Sequence, residues 1–356
     1  MPQPLDPRLQ TSTRSHTIFR ALLHYGGSAL ALLLLFRFLP GRRVLQALEK
    51  LPPRTWLLVL LAYLATHCLG VGKWRLIVNT AGAGLNFLQA ARCYFAGLFG
   101  SLFLPSLIGG DLIRAGLAMR YGKTKAGVLL GSFIDRVIDF VGLTLLAIAG
   151  AALAPHSLHP QSRRIFLYFT AAAFIAAAIL LIGLVIIPIR LLSFRMRRRA
   201  ASLRRAARSM ARRPVTAVIA LSISLASQLS FIALSLALAR ACALDLPFRA
   251  WLFAWPLAKL SAALPITQGG IGVREAALAA LLVPFGAPPA IAVAAGLAWE
   301  AVVIGGALAA GVFALLSGRT APLTQRRDLT RANIQRARPG QTDRKSTSMT
   351  NVGDKN

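Results

Sequence analysis

The sequence predicts an all-α polytopic membrane protein with about six transmembrane helices and two re-entrant helical hairpins, arranged as two inverted repeats. Apolar residue types make up 56% of the chain, its mean hydropathy is +0.61, and several apolar runs are long enough to cross a bilayer. In addition, the pattern L-P-x-x-x-G-G-x-x-x-R occurs twice, at 104–114 and at 264–274. These two observations carry the predicted fold.

Each copy of the pattern predicts a helix break within hydrophobic sequence. Proline lacks an amide hydrogen, and a glycine pair does not sustain a helix. Backbone groups freed inside a bilayer need partners, so such a break is favoured only where it is buried in protein or lines a polar cavity. Matching breaks in both halves indicate a transporter-like site at a repeat interface. The alternative is two ordinary loops that resemble each other by chance.

The first predicted repeat covers 18–150, after a polar N-terminal segment at 1–17. It contains a re-entrant hairpin at 87–121 and spans at 18–39, 55–71 and 126–150. Lys73, Trp74 and Arg75 are expected to end the second span at the membrane interface. The second hairpin arm, 112–121, is too short to cross about 30 Å of hydrocarbon at about 1.5 Å per residue.

The second predicted repeat covers 151–317 and follows the same plan. It contains a hairpin at 251–285 and spans at 165–189, 215–239 and 290–316, before a polar tail at 318–356 that is predicted to be disordered. Three crossings in each repeat require the two copies to be inverted in the membrane. A pseudo-twofold axis should therefore lie in the membrane plane.

The net charge of +30 comes from basic residues between the spans and in the tail rather than on a soluble domain. They predict topology signals and contacts with anionic lipids, and no nucleic-acid partner. Placing the ten arginines of 190–213 in the cytoplasm puts both termini there, in a bacterial inner membrane. Counting both hairpins as full crossings keeps the termini but moves the first break to the other face.

The glycine pairs Gly109-Gly110 and Gly269-Gly270 are expected to precede helix starts, whose free amides attract anions. Arg114 and Arg274 follow at the same spacing and predict a paired site for anionic groups such as lipid phosphates. The alternative is that each arginine neutralises a nearby carboxylate and stabilises the fold. Asp111 is expected to cap its helix.

Further charges lie within the predicted membrane segments. Asp135, Arg136 and Asp139 share one span, and their carboxylates either pair with Arg114 or titrate during a transport cycle. Glu275 follows Arg274, and Glu300 lies in the last span with Arg274 or Lys259 as its partner. The sequence shows no pattern for a metal, a cofactor or a catalytic residue, so we expect no enzyme activity.

These residues resemble a flippase-like membrane family related to the transmembrane region of bacterial lysylphosphatidylglycerol synthases. The similarity covers roughly residues 15–317 and rests on Ser101–Pro105, Gly109–Asp111, Arg114, Asp135-Arg136, Pro265 and Gly269–Ala276. It implies an inner-membrane protein that moves or binds phospholipid, or another polyisoprenoid or aminoacylated lipid. Only a short tail follows the last span, so synthase activity is not expected.

Two functions follow as hypotheses. The two predicted helix breaks could each bind an anion and lie at opposite ends of an inverted repeat, which favours translocation of an anionic lipid. The partners would then be membrane lipids. The alternative is an accessory protein that binds lipid and supports a membrane enzyme without transport.

Overall fold

The computed structural model describes residues 41–103, 107–153, 201, 205–209, 212–262 and 271–319. All regular secondary structure within these ranges is helical. Residues 1–314 form one compact unit and 315–356 a second, of which 315–319 are described as the end of a helix. All contacts reported below lie within the first unit.

The helices fall into two sets along the chain. The first set is α1 (Gly41–Glu49), α2 (Pro53–Thr80), α3 (Phe87–Gly100), α4 (Leu107–Tyr121) and α5 (Lys125–Leu153). The second set is α6 (Pro214–Ala241), α7 (Phe248–Ser261), α8 (Val273–Leu282) with a 3₁₀ turn at Val283–Phe285, and α9 (Pro289–Arg319).

Four helices, α2, α5, α6 and α9, are long and apolar enough to cross a membrane. They confirm the predicted spans that begin near residues 55, 126, 215 and 290. The predicted spans at 18–39 and 165–189 lie outside the described residues. Large apolar side chains on these helices face outward, as a lipid-facing surface requires, among them Leu57, Leu61, Val215, Val218, Leu308 and Val312.

The second set of helices repeats the first. Helices α2 and α6 each have 28 residues, begin with proline, and start 161 positions apart at Pro53 and Pro214. Both end in the same turn, in which the third residue after the helix donates its amide to a carbonyl inside the helix, Ala83 to Val78 and Leu244 to Ala239. The turn includes a left-handed residue in each copy, Gly82 at φ +94° and Ala243 at φ +64°.

The two repeats also contact each other reciprocally. A Cβ added to Gly142 on α5 would lie 3.2 Å from Ser224 Oγ on α6, and one added to Gly306 on α9 would lie 2.4 Å from the Tyr63 ring on α2. Tyr63 and Ser224 are 161 positions apart, and Gly142 and Gly306 are 164 apart. Equivalent positions therefore meet in both directions, which is the pattern of an approximate twofold relation.

Helices α3 and α4 form an antiparallel pair that packs closely through glycine. A Cβ on Gly97 would lie 2.7 Å from the Gly110 carbonyl oxygen, and one on Gly110 would lie 2.6 Å from the Gly97 carbonyl oxygen. At the other end of the pair, Arg92 Nη1 donates to the Tyr121 hydroxyl at 2.7 Å. Small residues at such a crossing let two backbones approach within a membrane.

Three sequence predictions are wrong in detail. Helix α2 continues to Thr80, so Lys73 and Trp74 lie in its buried part, 5% and 0% exposed, rather than at its end. The segment between the predicted spans at 18–39 and 55–71 is not only a connecting loop but contains the short helix α1, which buries Val44 and Ala47 one turn apart. Helix α4 begins at Leu107, before the glycine pair rather than after it.

Candidate functional site

A cavity of about 210 Å³ lies between the two repeats. Its lining residues come from equivalent positions, such as His67 with Gln228 and Tyr94 with Trp255, each 161 residues apart. The other equivalent pairs that line it are Thr66 with Ser227, Gly70 with Phe231, Leu98 with Lys259, Ser101 with Ala262, Arg114 with Arg274, and Asp139 with Val303. Both repeats therefore build one cavity from the same helix faces.

Six charged side chains beside this cavity form a closed ring in which cations and carboxylates alternate. The order around the ring is Lys73, Asp135, Arg114, Asp111, Arg136, Asp139 and back to Lys73. Lys73 Nζ lies 3.1 Å from Asp135 Oδ1, and Arg114 Nη2 lies 3.0 Å from Asp135 Oδ2. Each charge has two opposite neighbours, so the ring joins α2, α4 and α5 without a net charge.

The remaining sides of the ring have comparable geometry. Arg114 Nη2 lies 3.1 Å from Asp111 Oδ1, and Arg136 Nη1 lies 3.7 Å from Asp139 Oδ2. Arg136 also pairs with Asp111, and Lys73 also pairs with Asp139. Of the two carboxylates of α5, Asp135 pairs with Arg114 as expected, whereas Asp139 pairs with Lys73 and Arg136 instead. Whether either carboxylate titrates during transport stays a prediction.

Neighbouring polar and aromatic groups hold the ring in place. Ser224 Oγ on α6 donates to Asp139 Oδ1 at 2.6 Å, so the second repeat contributes to the ring. The Arg114 guanidinium carbon lies 4.9 Å from the ring centroid of Trp74 and 5.3 Å from that of Tyr94. Arg114 is consequently only 3% exposed and is fixed on several sides.

Arg274 has a smaller set of partners. Its Nη2 lies 3.0 Å from Glu275 Oε1, and it also pairs with Glu300. The Glu275 side chain is fully buried, and its Oε2 accepts the Gly272 amide at 2.6 Å where α8 begins. Glu300 therefore pairs with Arg274 rather than with Lys259.

The two repeats differ at the charged positions. Counting 161 positions from α2, 160 from α4 and 164 from α5, the ring residues correspond to Leu234 for Lys73, Ile271 for Asp111, Arg274 for Arg114, Trp299 for Asp135, Glu300 for Arg136 and Val303 for Asp139. Only the arginine is common to both copies. The second repeat thus replaces the six-membered ring by one arginine between two glutamates.

Lys259, on α7, stands apart from both groups. Its Nζ donates to Gln228 Oε1 at 2.9 Å and lies 4.8 Å and 5.0 Å from the ring centroids of Trp255 and Phe231. No carboxylate lies within 4 Å of it in the part of the chain that the structure describes.

The charges are distributed unevenly around the cavity. The two groups and Lys259 together hold five cations and five carboxylates, and their charges sum to zero. All five cations line the cavity, Lys73, Arg114, Arg136, Lys259 and Arg274, whereas Asp111 and Asp139 are the carboxylates that do. Because the lining is biased toward positive charge, the cavity suits an anionic group.

The structure brings together most of the predicted site residues. Gly110, Asp111, Arg114, Arg136, Asp139 and Arg274 line the cavity. Asp135, Glu275 and Glu300 lie behind its surface as charge partners, and Gly109 is buried in α4. Gly269 and Gly270 lie outside the described residues. The predicted cap at Asp111 is wrong, because α4 begins at Leu107 and Asp111 lies beyond its first turn, pairing with arginines instead.

Several lining residues were missed. The sequence predicts Lys73 at the membrane interface, yet Tyr63, Thr66, Gly70 and Lys73 recur every three or four residues along α2. This spacing places them on one helix face, which is the signal that could have found Lys73. Lys259 was considered only as a partner of Glu300, and its contact with Gln228 across 31 positions leaves no pattern in the sequence.

The long apolar helices and the charged cavity between two repeats define a polytopic helical membrane protein. Comparison with known sequences places it in a family: a sequence model of the lysylphosphatidylglycerol synthase TM region matches residues 21–311, and the chain belongs to this family. It is also similar to a UPF0104 membrane protein of Methanothermobacter thermautotrophicus, with 29% identity over 111 residues. That match covers 31% of this chain and 32% of the relative.

Proposed function

We propose that this protein translocates a lipid with an anionic headgroup across the bacterial cytoplasmic membrane, the headgroup passing through the cavity between the repeats. The observation that carries the proposal is the cavity lining, which presents five cations and two carboxylates inside a protein whose outer face is apolar. Charged residues within membrane segments are functional candidates by default because their burial is costly. Membership of a family named for a lipid synthase's transmembrane region supports a lipid as the ligand.

The cavity volume limits what enters it. Pockets for drug-sized molecules measure roughly 300–1,000 Å³, and this cavity of about 210 Å³ is smaller. It accommodates a polar headgroup but not acyl chains. The chains would remain on the apolar outer surface, where the bilayer solvates them.

In the proposed arrangement, the two repeats are inverted relative to each other in the membrane. Helices α3, α4, α7 and α8 have 14, 15, 14 and 10 residues, and at about 1.5 Å per residue each is shorter than the hydrocarbon core of about 30 Å. Each pair would enter and leave on one face as a re-entrant hairpin, the two pairs on opposite faces. Six crossings would place both termini in the cytoplasm.

Arg114 and Arg274 are proposed to serve the headgroup in turn, each when the cavity opens to its own side. Both line the cavity at equivalent positions of the repeated pattern. A phosphate that moves from one to the other exchanges one planar guanidinium for another, so neither end becomes a deep trap. Catalysis is not part of the proposal: the cavity would bind and release lipid without covalent change.

Vesicles that contain only the purified protein test the proposal. Phosphatidylglycerol with a fluorescent chain or headgroup label should change leaflets faster than in protein-free vesicles. Arg114→Gln and Arg274→Gln should slow this movement by roughly tenfold or more, the effect of one lost charged hydrogen bond. Arg240→Gln, which removes the exposed pair with Asp245, is the matched control and should keep the wild-type rate.

The accessory role makes a different prediction for the same vesicles. Wild-type protein that retains phosphatidylglycerol on purification but leaves its leaflet exchange at the protein-free rate would overturn translocation and favour lipid binding alone.

A further inference from the structure

We infer that Lys259 is the residue that receives the ligand's anionic group, a phosphate monoester or diester carried by a lipid headgroup or free in solution. The inference rests on the proposed function and names the contact through which the cavity would recognise its ligand. The two arginines of the repeated pattern would then act beside a lysine that has no carboxylate within 4 Å among the described residues.

The other four cations that line the cavity are already paired with carboxylates. Lys73, Arg114, Arg136 and Arg274 each have two carboxylates within 4 Å. An incoming anion must compete with those carboxylates for the same donors. Lys259 offers an amino group whose contacts are a neutral amide and two aromatic faces.

The sequence contains few further carboxylates that could pair with Lys259. The chain has eleven, and five of them belong to the two charged groups beside the cavity. Asp245 pairs with Arg240, and Glu49 is the exposed last residue of α1. The other four are at positions 6, 328, 343 and 354, and the segment 263–270 that follows α7 contains none. Among the residues that the structure describes, Lys259 therefore has no carboxylate within 4 Å.

The ammonium group contacts a neutral amide and two aromatic rings. Gln228 Oε1 accepts one of its three protons at 2.9 Å, and the rings of Trp255 and Phe231 cover it without neutralising it. An anion that binds an ammonium in such a site stabilises it, because burial of an unpaired charge is unfavourable. The equivalent position in the first repeat is Leu98, so this charge is present on one side of the cavity.

Binding measurements on three variants test this assignment. Lys259→Met removes the charge and keeps the chain length, Lys259→Arg keeps the charge, and Lys125→Met is a control on an exposed lysine. Detergent-purified protein is titrated with short-chain phosphatidylglycerol, short-chain phosphatidylcholine, and inorganic phosphate. The readouts are the fluorescence of Trp255 and Trp299, which both line the cavity, and the thermal midpoint.

We expect wild-type protein and Lys125→Met to bind phosphatidylglycerol more tightly than phosphatidylcholine. Lys259→Met should weaken phosphatidylglycerol binding roughly tenfold or more and lose the preference, whereas Lys259→Arg should keep it. Competition by inorganic phosphate would show that the phosphate alone is recognised; its failure to compete would assign the site to the intact headgroup.

Two results would overturn the assignment, and they separate it from the proposed function. Equal phosphatidylglycerol binding by wild type and a folded Lys259→Met would remove Lys259 from the site and leave translocation standing. Absence of phosphatidylglycerol binding by the wild type itself would remove both.

Discussion

Arg136 and Glu300 occupy equivalent positions on α5 and α9, 164 residues apart, and carry opposite charges. Arg136 joins Asp111 and Asp139 in the ring of the first repeat, whereas Glu300 pairs with Arg274 in the second. The two sets of helices are therefore related by an approximate twofold axis, but their charged side chains are not. A ligand between the repeats would meet the paired charges of the ring from the first repeat, and Arg274 and Lys259 from the second.

Removal of one member of the ring should lower the stability of the protein. Asp135 is 1% exposed and lies between Lys73 and Arg114. Asp135→Asn leaves two buried cations short of a carboxylate, and removal of one partner from a buried pair costs about 3–5 kcal/mol. Thermal unfolding in detergent should show a large loss of stability.

Asp245→Asn is the control for that loss, because its pair with Arg240 is exposed and should contribute at most about 1 kcal/mol. A midpoint for Asp135→Asn that equals the wild-type value would show that the ring is not structural.

The glycine crossing between α3 and α4 makes a second prediction. A Cβ at Gly110 would lie 2.6 Å from the carbonyl oxygen of Gly97, a backbone atom that cannot rotate away. Gly110→Ala should therefore push the two helices apart and lower the thermal midpoint. Gly116→Ala on the same helix meets no atom within 4 Å, so it should be at least as stable as the wild type. Equal midpoints for the two variants would contradict the observed packing.

Inversion of the repeats makes a third prediction, about access. In the proposed topology the turn before α5 faces the cytoplasm, and the turn between α6 and α7 faces outward. In a background without the native cysteines, a probe that cannot cross the membrane should label Asp245→Cys in intact cells. It should label Lys125→Cys only after the cells are opened. Labelling of both residues in intact cells would rule out inversion.

The sequence predicted the helical membrane class and the repeat because hydropathy and the L-P-x-x-x-G-G-x-x-x-R pattern are local signals. It also found Arg114, Arg136, Asp135 and Asp139, since charges stand out within apolar spans. The ring itself could not be predicted, because Lys73 completes it. Lys73 lies 66 positions before Asp139 in the sequence and follows the predicted end of the second span. Helix α4 begins at Leu107, before the glycine pair that predicts a break, because packing against Gly97 favours glycine at that crossing.

The most direct test of headgroup passage through the cavity is a block of the cavity itself. Leu98→Trp adds an indole to the cavity lining, while Leu112→Trp adds the same group at a position 66% exposed on α4. Leaflet exchange of phosphatidylglycerol would be measured in vesicles with equal amounts of each folded variant. We expect the protein-free rate for Leu98→Trp and the wild-type rate for Leu112→Trp; a wild-type rate for Leu98→Trp would contradict passage of the headgroup through the cavity.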